Sequence, residues 1–420
     1  MSSQAAIVEN ARKERRRAHV PLVSVIVPTH NSLEHLAECL DSIVGQTLTD
    51  LEAIIVDDCS TDESVAMVEE YSRRDQRVRL IKLEKHGGPG VARNRGIDAA
   101  RGTYLYFLDS DDYCDISLLE KAVKRLEKTG GDLCAFPFYR LEMRVGRPVR
   151  AWWCLPPESM FEGTRTWQDY PDAFFSTYQN YAWNKVYRRS LIEQHAIRFQ
   201  DELHLTEDLM FTAVALVRAR GIAVLDEPLV THREGTYNNT MANKDAHPLD
   251  FVTAFLAFKR FLEAEGFMEG LESSYLNWAA NACFYNQNTL SSSEAFHSVF
   301  ANLAQGSAKE LGLPAEGLES PLDERYNWLL DALSRNDQDG YLFRIYRNVS
   351  EELEKRDVQL AVTYMDLDRT RFERDSARQE LDALREDYNA KMNAAEQRVG
   401  QAICKIPRFV QRTLFSKKSK

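Results

Sequence analysis

The chain has 420 residues, of which 44% are hydrophobic and 28% charged, and its formal net charge is −11. That length allows two or three domains and a large core, and the acidic balance argues against a general nucleic-acid binder. Seven cysteines lie scattered with no C-x-x-C pair, which fits a reducing compartment and argues against a disulfide framework or a zinc site.

Residues 1–20 read as a flexible basic leader without the apolar stretch of a secretory signal. No apolar run reaches the ~20 residues that span a bilayer. An apolar strand over 22–27 is followed by a helix from Ser32 to Val44, with Ser32 as its N-cap. A second strand over 52–56 ends in Asp57-Asp58, and Ser60 or Thr61 caps the next helix. A third strand covers 78–83. The loop Gly87-Gly88-Pro89-Gly90 opens a helix over 91–100, and the aromatic strand Tyr104–Leu108 runs into Asp109-Ser110-Asp111-Asp112. This alternation predicts a mostly parallel α/β sheet with helices on both faces. Apolar strands at 132–138 and 222–225 extend it. Residues 241–346 read as a helical subdomain rich in aromatics. Residues 347–398 read as one long charged helix. Leu353, Leu360, Leu367, Leu381 and Tyr388 share a heptad register, but Arg374 interrupts it and the matching d positions are poor, so coiled-coil character is weak. Residues 399–420 form a basic amphipathic tail of the kind that lies on anionic membrane surfaces.

Chemistry gathers where strands end. Asp109 and Asp111, at i and i+2 of an extended segment, project together from the carboxyl edge of the sheet, where open α/β sheets bind ligands. Paired hard oxygens there suit Mg²⁺ or Mn²⁺ carrying a substrate phosphate. Asp57 and Asp58 are acceptor-only groups, suited to base N–H or ribose hydroxyls. The glycine loop matches neither the P-loop nor the dinucleotide fingerprint.

Taken together, the pieces Val25–Asn31, Val56–Asp62, Gly88–Gly96, Asp109–Asp112, Trp183–Arg189 and Thr206–Asp208 resemble the family 2 glycosyltransferases, whose GT-A fold binds nucleotide sugars. The resemblance covers a catalytic domain at 21–240. It implies an inverting, metal-dependent transfer of a sugar from a nucleoside-diphosphate donor, uridine-based, to a hydroxyl of a glycan or lipid-linked acceptor in cell-surface polysaccharide synthesis. It implies donor contacts from Pro28, Thr29, Asn31, Asp57, Asp58 (the stronger of the two), Gly88, Arg93, Asp109, Ser110, Asp111, Arg233 and Thr236. Asp111, with Asp109, would ligate the metal, Asp208 would be the general base, and Glu207 and Trp183 would face the acceptor. His232 reads as a surface residue, with a further metal ligand as the lesser alternative. The expected location is cytoplasmic, at the inner face of the membrane, with self-association through 347–398 and no nucleic-acid partner. Two alternatives remain at this stage: a nucleotidyltransferase, which would release pyrophosphate, and an inactive scaffold acting through the long helix.

Overall fold

The computed structural model describes residues 20–143, 146–151, 153, 158–235 and 244–404. The chain forms two units, one through Tyr341 and one from Leu342 onward. Its strands are β1 (Val23–Thr29), β2 (Leu51–Asp57), β3 (Val78–Lys82), β4 (Tyr104–Phe107), β5 (Tyr113–Cys114), β6 (Leu133–Ala135), β7 (Tyr139–Glu142), β8 (Pro148–Arg150), β9 (Lys185–Arg188), β10 (Ile222–Val224) and β11 (Val230–Glu234). The principal helices are α1 (Leu33–Val44), α2 (Ser64–Arg74), α3 (Gly88–Ala99), α4 (Leu118–Thr129), α5 (Phe174–Tyr178), α6 (Arg189–Gln194), α7 (Asp208–Arg218), α8 (Asp250–Ala264), α9 (Met268–Asn288), α10 (Ser293–Asn302), α11 (Glu324–Arg335) and α12 (Gln338–Cys404).

Seven strands make one sheet in the order β10-β6-β9-β4-β1-β2-β3. Every residue of β1 and β2 is buried, as expected of near-continuous apolar runs covered on both faces. β1 pairs in parallel with β2 and β4, and β2 with β3. The residues that follow β1, β2, β3 and β4 therefore share one edge. β9 breaks the parallel pattern, lying antiparallel between β4 and β6. Its start, Asn184-Lys185, reads as polar in sequence yet is fully buried. The Lys185 ammonium donates to the Tyr181 carbonyl at 2.8 Å and to Asn184 Oδ1 at 2.6 Å, and the Asn184 amide donates to the Phe136 carbonyl at 3.2 Å. Internal pairing offsets the desolvation cost of these groups. A second sheet, β5-β11-β7-β8, flanks the edge.

Two expected caps differ in the structure. Ser32 is the N-cap residue of α1, but its side chain makes no cap bond; its hydroxyl meets Ser110 Oγ at 2.6 Å instead. Ser60 and Thr61 do not cap α2 but bind the chain after β1: Asn31 N–H donates to Ser60 Oγ at 2.9 Å, and Thr61 N–H donates to Asn31 Oδ1 at 2.7 Å. The helix α3 packs hard on β1. A Cβ at Gly96 would lie 2.3 Å from Ile26 Cγ2, so no larger residue fits without movement.

The helical segment from Lys244 to Tyr341 belongs to the same compact unit as the sheet. Phe175 in α5 stacks on Trp278 in α9 at 5.1 Å, and its N–H donates to Ser274 Oγ at 3.0 Å. The Asp250 carboxylate at the start of α8 accepts from the backbone N–H groups of His204 and Leu205 at 2.9 and 3.0 Å. That bond ties the helices to the loop preceding α7. From Leu342 onward, α12 continues as a long helix, and its side chains from Glu351 to Asp387 are exposed. Among the described residues no helix is long and apolar enough to cross a membrane.

Candidate active site

The shared sheet edge gathers most of the acids singled out in sequence. Asp57 ends β2, and Asp109 follows β4 by two residues. Arg93, on α3, lies buried between two carboxylates from distant parts of the chain. Its guanidinium donates to Asp109 Oδ1 at 2.7 Å and to Glu207 Oε1 at 2.6 Å, and it sits over the Phe199 ring at 5.2 Å. Burial opposes the charge, but the two carboxylates outweigh it and hold Arg93 further above its ordinary value. Arg93 thus joins the two acids rather than lying open as a phosphate clamp, and Glu207 is spent on Arg93 rather than facing an acceptor. Glu207 also backs onto Gly90, where a Cβ would meet its Cγ at 3.2 Å.

Asp208 is the first residue of α7. Its carboxyl is pushed up to about 7, by burial first and then by Glu207, against the pull of Arg93. Asn180 donates to its Oδ1 at 3.2 Å. The residue two before it, Thr206, holds φ at 62°, a left-handed conformation that β-branched residues rarely adopt. Cys59, just past Asp58, has φ 61°. Strain of this kind persists only where the surroundings impose it, and it clusters at functional sites.

The two acids after β2 divide their work differently from the expectation. Both oxygens of Asp58 are engaged: Gly87 and Gly88 N–H groups donate to them at 2.8 and 2.7 Å. Gly88, at φ +86°, gives the loop this turn. Asp57 Oδ1, by contrast, is buried with no partner, as is Thr29 Oγ1 beside it in register. Orphaned buried acceptors and hydroxyls are costly, and the pair fits a ligand that brings its own donors, such as a base or ribose. Asp57 rather than Asp58 is the free acceptor here. Asn31 is likewise occupied in bracing residues 60–62. Pro28 is buried within β1.

Asp111 sits on the turn after Asp109. The next residue, Asp112, is fully buried. Its carboxylate accepts from His232 Nδ1 at 2.8 Å and from the Arg233 N–H at 2.8 Å. Burial pushes Asp112 up to about 6. Burial also disfavours charge on His232, but the Asp112 carboxylate wins and raises it to about 9. The two values agree on an ion pair near neutral pH. His232 is therefore no surface residue; its ring also stacks on Trp183 at 4.8 Å. Trp183 is 5% exposed, stacked with Tyr181 at 5.0 Å and edge-on to Phe138 at 4.6 Å. It packs beneath the acidic turn and offers no face to an acceptor sugar. Arg233 is buried too: its guanidinium donates to the Asp111 carbonyl and to Glu38, over the Tyr113 ring. In this state it holds the turn from below instead of reaching toward phosphate. Thr236 lies outside the described residues. The buried Asp112–His232 pair spans 120 residues, and only the run of three acids hinted that one of them had a structural task.

The donor set at 109 and 111 is carboxylate alone, the chemistry of hard Mg²⁺ and Mn²⁺ sites. Arg93 occupies Asp109 Oδ1, which leaves Oδ2 for a cation. These residues fit such an ion.

A family model described as glycosyl transferase family 2 matches residues 24–195. The chain is 34% identical over 219 residues to EpsJ of Bacillus subtilis, described as an uncharacterized glycosyltransferase, covering 51% of this chain and 62% of that protein. It is 31% identical to the succinoglycan biosynthesis protein ExoO of Rhizobium meliloti, covering 57% of this chain and 67% of that one. Among solved structures it resembles Staphylococcus aureus TarS 1–349 in complex with UDP-GlcNAc, with 25% identity and a TM-score of 0.57, over 78% of this chain and 91% of that one. The chain belongs to glycosyltransferase family 2, and its sheet is the GT-A fold that its motifs predict. It spans less than two thirds of the length of the first of these relatives.

Proposed function

We propose that this protein is an inverting glycosyltransferase that moves a sugar from a nucleoside-diphosphate donor to a hydroxyl of a glycan or lipid-linked acceptor. The observation that carries this reading is Asp208, raised to about 7 at the start of α7 and linked through Glu207 and Arg93 to Asp109 at the donor edge. A carboxylate poised near neutral pH is suited to take the acceptor's proton as its oxygen attacks the anomeric carbon. A single displacement from the side opposite the diphosphate inverts that carbon.

Each remaining residue has a task. Thr29 and Asp57 hold the nucleoside through their unpartnered oxygens. Asp109 and Asp111 hold Mn²⁺ or Mg²⁺, which when bound neutralises charge growing on the leaving diphosphate. Arg93 holds Asp109 and Glu207 in place. Uridine is the base proposed, since the TarS structure of matching fold holds UDP-GlcNAc, and cell-surface polysaccharide synthesis is the setting its relatives suggest. The long helix would associate with a second copy. The tail, from residue 405 outside the described residues, would rest on the inner membrane surface.

Calorimetric titration with UDP, GDP and their sugars, with and without Mn²⁺, tests this on wild type and Asp111→Ala. Metal-dependent binding of one diphosphate sugar, weakened at least tenfold in the variant, is expected. Folded protein that binds no nucleoside diphosphate would overturn the reading in favour of a scaffold.

A further inference from the structure

A second cluster of ligating groups lies on the same edge, apart from Asp109 and Asp111. His30 follows β1, Asp58 follows β2 and His86 follows β3. Each offers one nitrogen or oxygen, and the three atoms lie within 4.8 Å of one another. The imidazole rings meet at a centroid distance of 4.6 Å, tilted by 42°. No role in the proposed transfer uses either histidine.

The hydrogen bonds assign the tautomer of His30. His30 Nδ1 lies 2.6 Å from the Asp58 carbonyl oxygen, which can only accept, so Nδ1 carries the proton. Its Nε2 lies 3.1 Å from Asn31 Nδ2, which can only donate, so Nε2 presents a lone pair. The Asn31 amide cannot be turned over, because its Oδ1 already accepts from the N–H groups of Thr61 and Asp62 at 2.7 and 3.3 Å. His86 Nδ1 faces acceptors alone, Asp58 Oδ2 at 2.9 Å and the Asp58 carbonyl at 3.3 Å. A cation held between His86 and the Asp58 carboxylate would replace the proton they share. A histidine whose second nitrogen donates to a carbonyl is the arrangement that orients metal-bound imidazoles, and the Asp58 backbone carbonyl supplies that partner to His30. The Gly87 and Gly88 N–H groups fix the Asp58 carboxylate; Oδ2 also faces His86 Nδ1, and Oδ1 keeps a further lone pair.

We infer that His30, His86 and Asp58 form a binding site for a borderline-soft divalent cation of the Zn²⁺ class, distinct from the all-carboxylate pair at 109 and 111. Two imidazoles and one carboxylate are a three-ligand set that leaves a position open to water. Nitrogen donors favour Zn²⁺, Co²⁺ or Ni²⁺ over Mg²⁺. The cation displaces the Asn31 amide from His30 Nε2, an exposed contact that costs little to break. Thr29 and Asp57 precede these ligands by one residue each, so occupancy competes with a nucleoside at that edge. That consequence rests on the proposed function; the site itself does not.

The test uses the full chain and Co²⁺ alone, with no nucleotide. Wild type is expected to bind Co²⁺ with the intense visible bands of a low-coordinate nitrogen-containing site, and Zn²⁺ should displace it. His86→Ala removes a side chain that is 57% exposed, so folding should survive, and the bands should vanish with at least a tenfold loss of affinity. His30→Ala should do the same, while Asp111→Ala should leave the bands unchanged. Absence of those bands in folded wild type, or their survival in both histidine variants, would overturn the site. Failure of nucleotide binding with the bands intact would instead overturn the transferase reading.

Discussion

Asp208 carries a cost beside its proposed role. Its folded value, about 7, stands above the ~3.9 of an unfolded chain. Between those values the native state binds the proton and the unfolded state does not, so stability falls as pH rises through this window. Asp208→Asn removes the ionisable group. The variant should lose transfer by a factor of 10² or more, as expected for removal of a general base, yet melt about 2–4 °C higher than wild type at pH 8. Wild-type turnover should rise with pH through about 7. Calorimetric scans at pH 5 and pH 8 check the linkage; an equal effect at both pH values would contradict it. The Asp112–His232 pair obeys a different rule. His232→Leu leaves a fully buried carboxylate without its cation, a change that costs about 3–5 kcal/mol. Protonation of Asp112 relieves part of that cost, so the loss seen by urea unfolding should shrink from pH 8 to pH 5. These two acids look alike in sequence, and so do Asp57 and Asp58. What separates them is a partner from far along the chain, such as His232 for Asp112 or Glu207 for Arg93. Spacing reveals which residue types reach an edge, not which of them arrive already paired.

Among the elements, those with a clean period were legible. β1 and β2 are apolar throughout and buried throughout, and α1 and α3 follow the expected windows to within a turn. β9 was not legible, because Asn184 and Lys185 carry polar groups whose partners, Tyr181 and Phe136, become neighbours only in the fold. Glycine in α3 was legible only as a loop signal. Its weightier position is Gly96, where the helix meets β1. Gly96→Ala places a methyl against Ile26 and should cost about 1–3 kcal/mol through overpacking, despite the better helix propensity of alanine. The expected result is a lower urea midpoint with an unchanged slope. A variant as stable as wild type would mean that β1 and α3 separate more readily than their packing implies. Because β1 ends at Thr29 and α3 carries Arg93, such separation should also weaken nucleotide binding.

At the scale of the molecule, the two units call for different explanations. The first buries its helices against its sheet and closes with Tyr341, which is 1% exposed and accepts from the Asn288 amide at 2.6 Å. The second has no such cover. Leu353, Leu360, Leu367 and Leu381 share one heptad position and are all exposed in the single chain. The pairs Arg347–Glu351 and Lys391–Asp387 support the helix from its own surface at i,i+4, but such pairs contribute only about 0.3–0.5 kcal/mol each. A helix this long, with a leucine row facing water, is stabilised far more by a second copy that covers the row. Arg374 in the same row would weaken such a contact, since an aligned pair sets two guanidiniums against each other. A chain ending at Arg347 should therefore keep its fold and its nucleotide affinity while sedimenting as a monomer, where the full chain sediments as an oligomer. Arg374→Leu in the full chain should tighten the assembly and raise its melting temperature. Identical sedimentation of the full and shortened chains would mean that the row serves another partner, and a loss of nucleotide binding on shortening would mean that the catalytic unit does not stand alone.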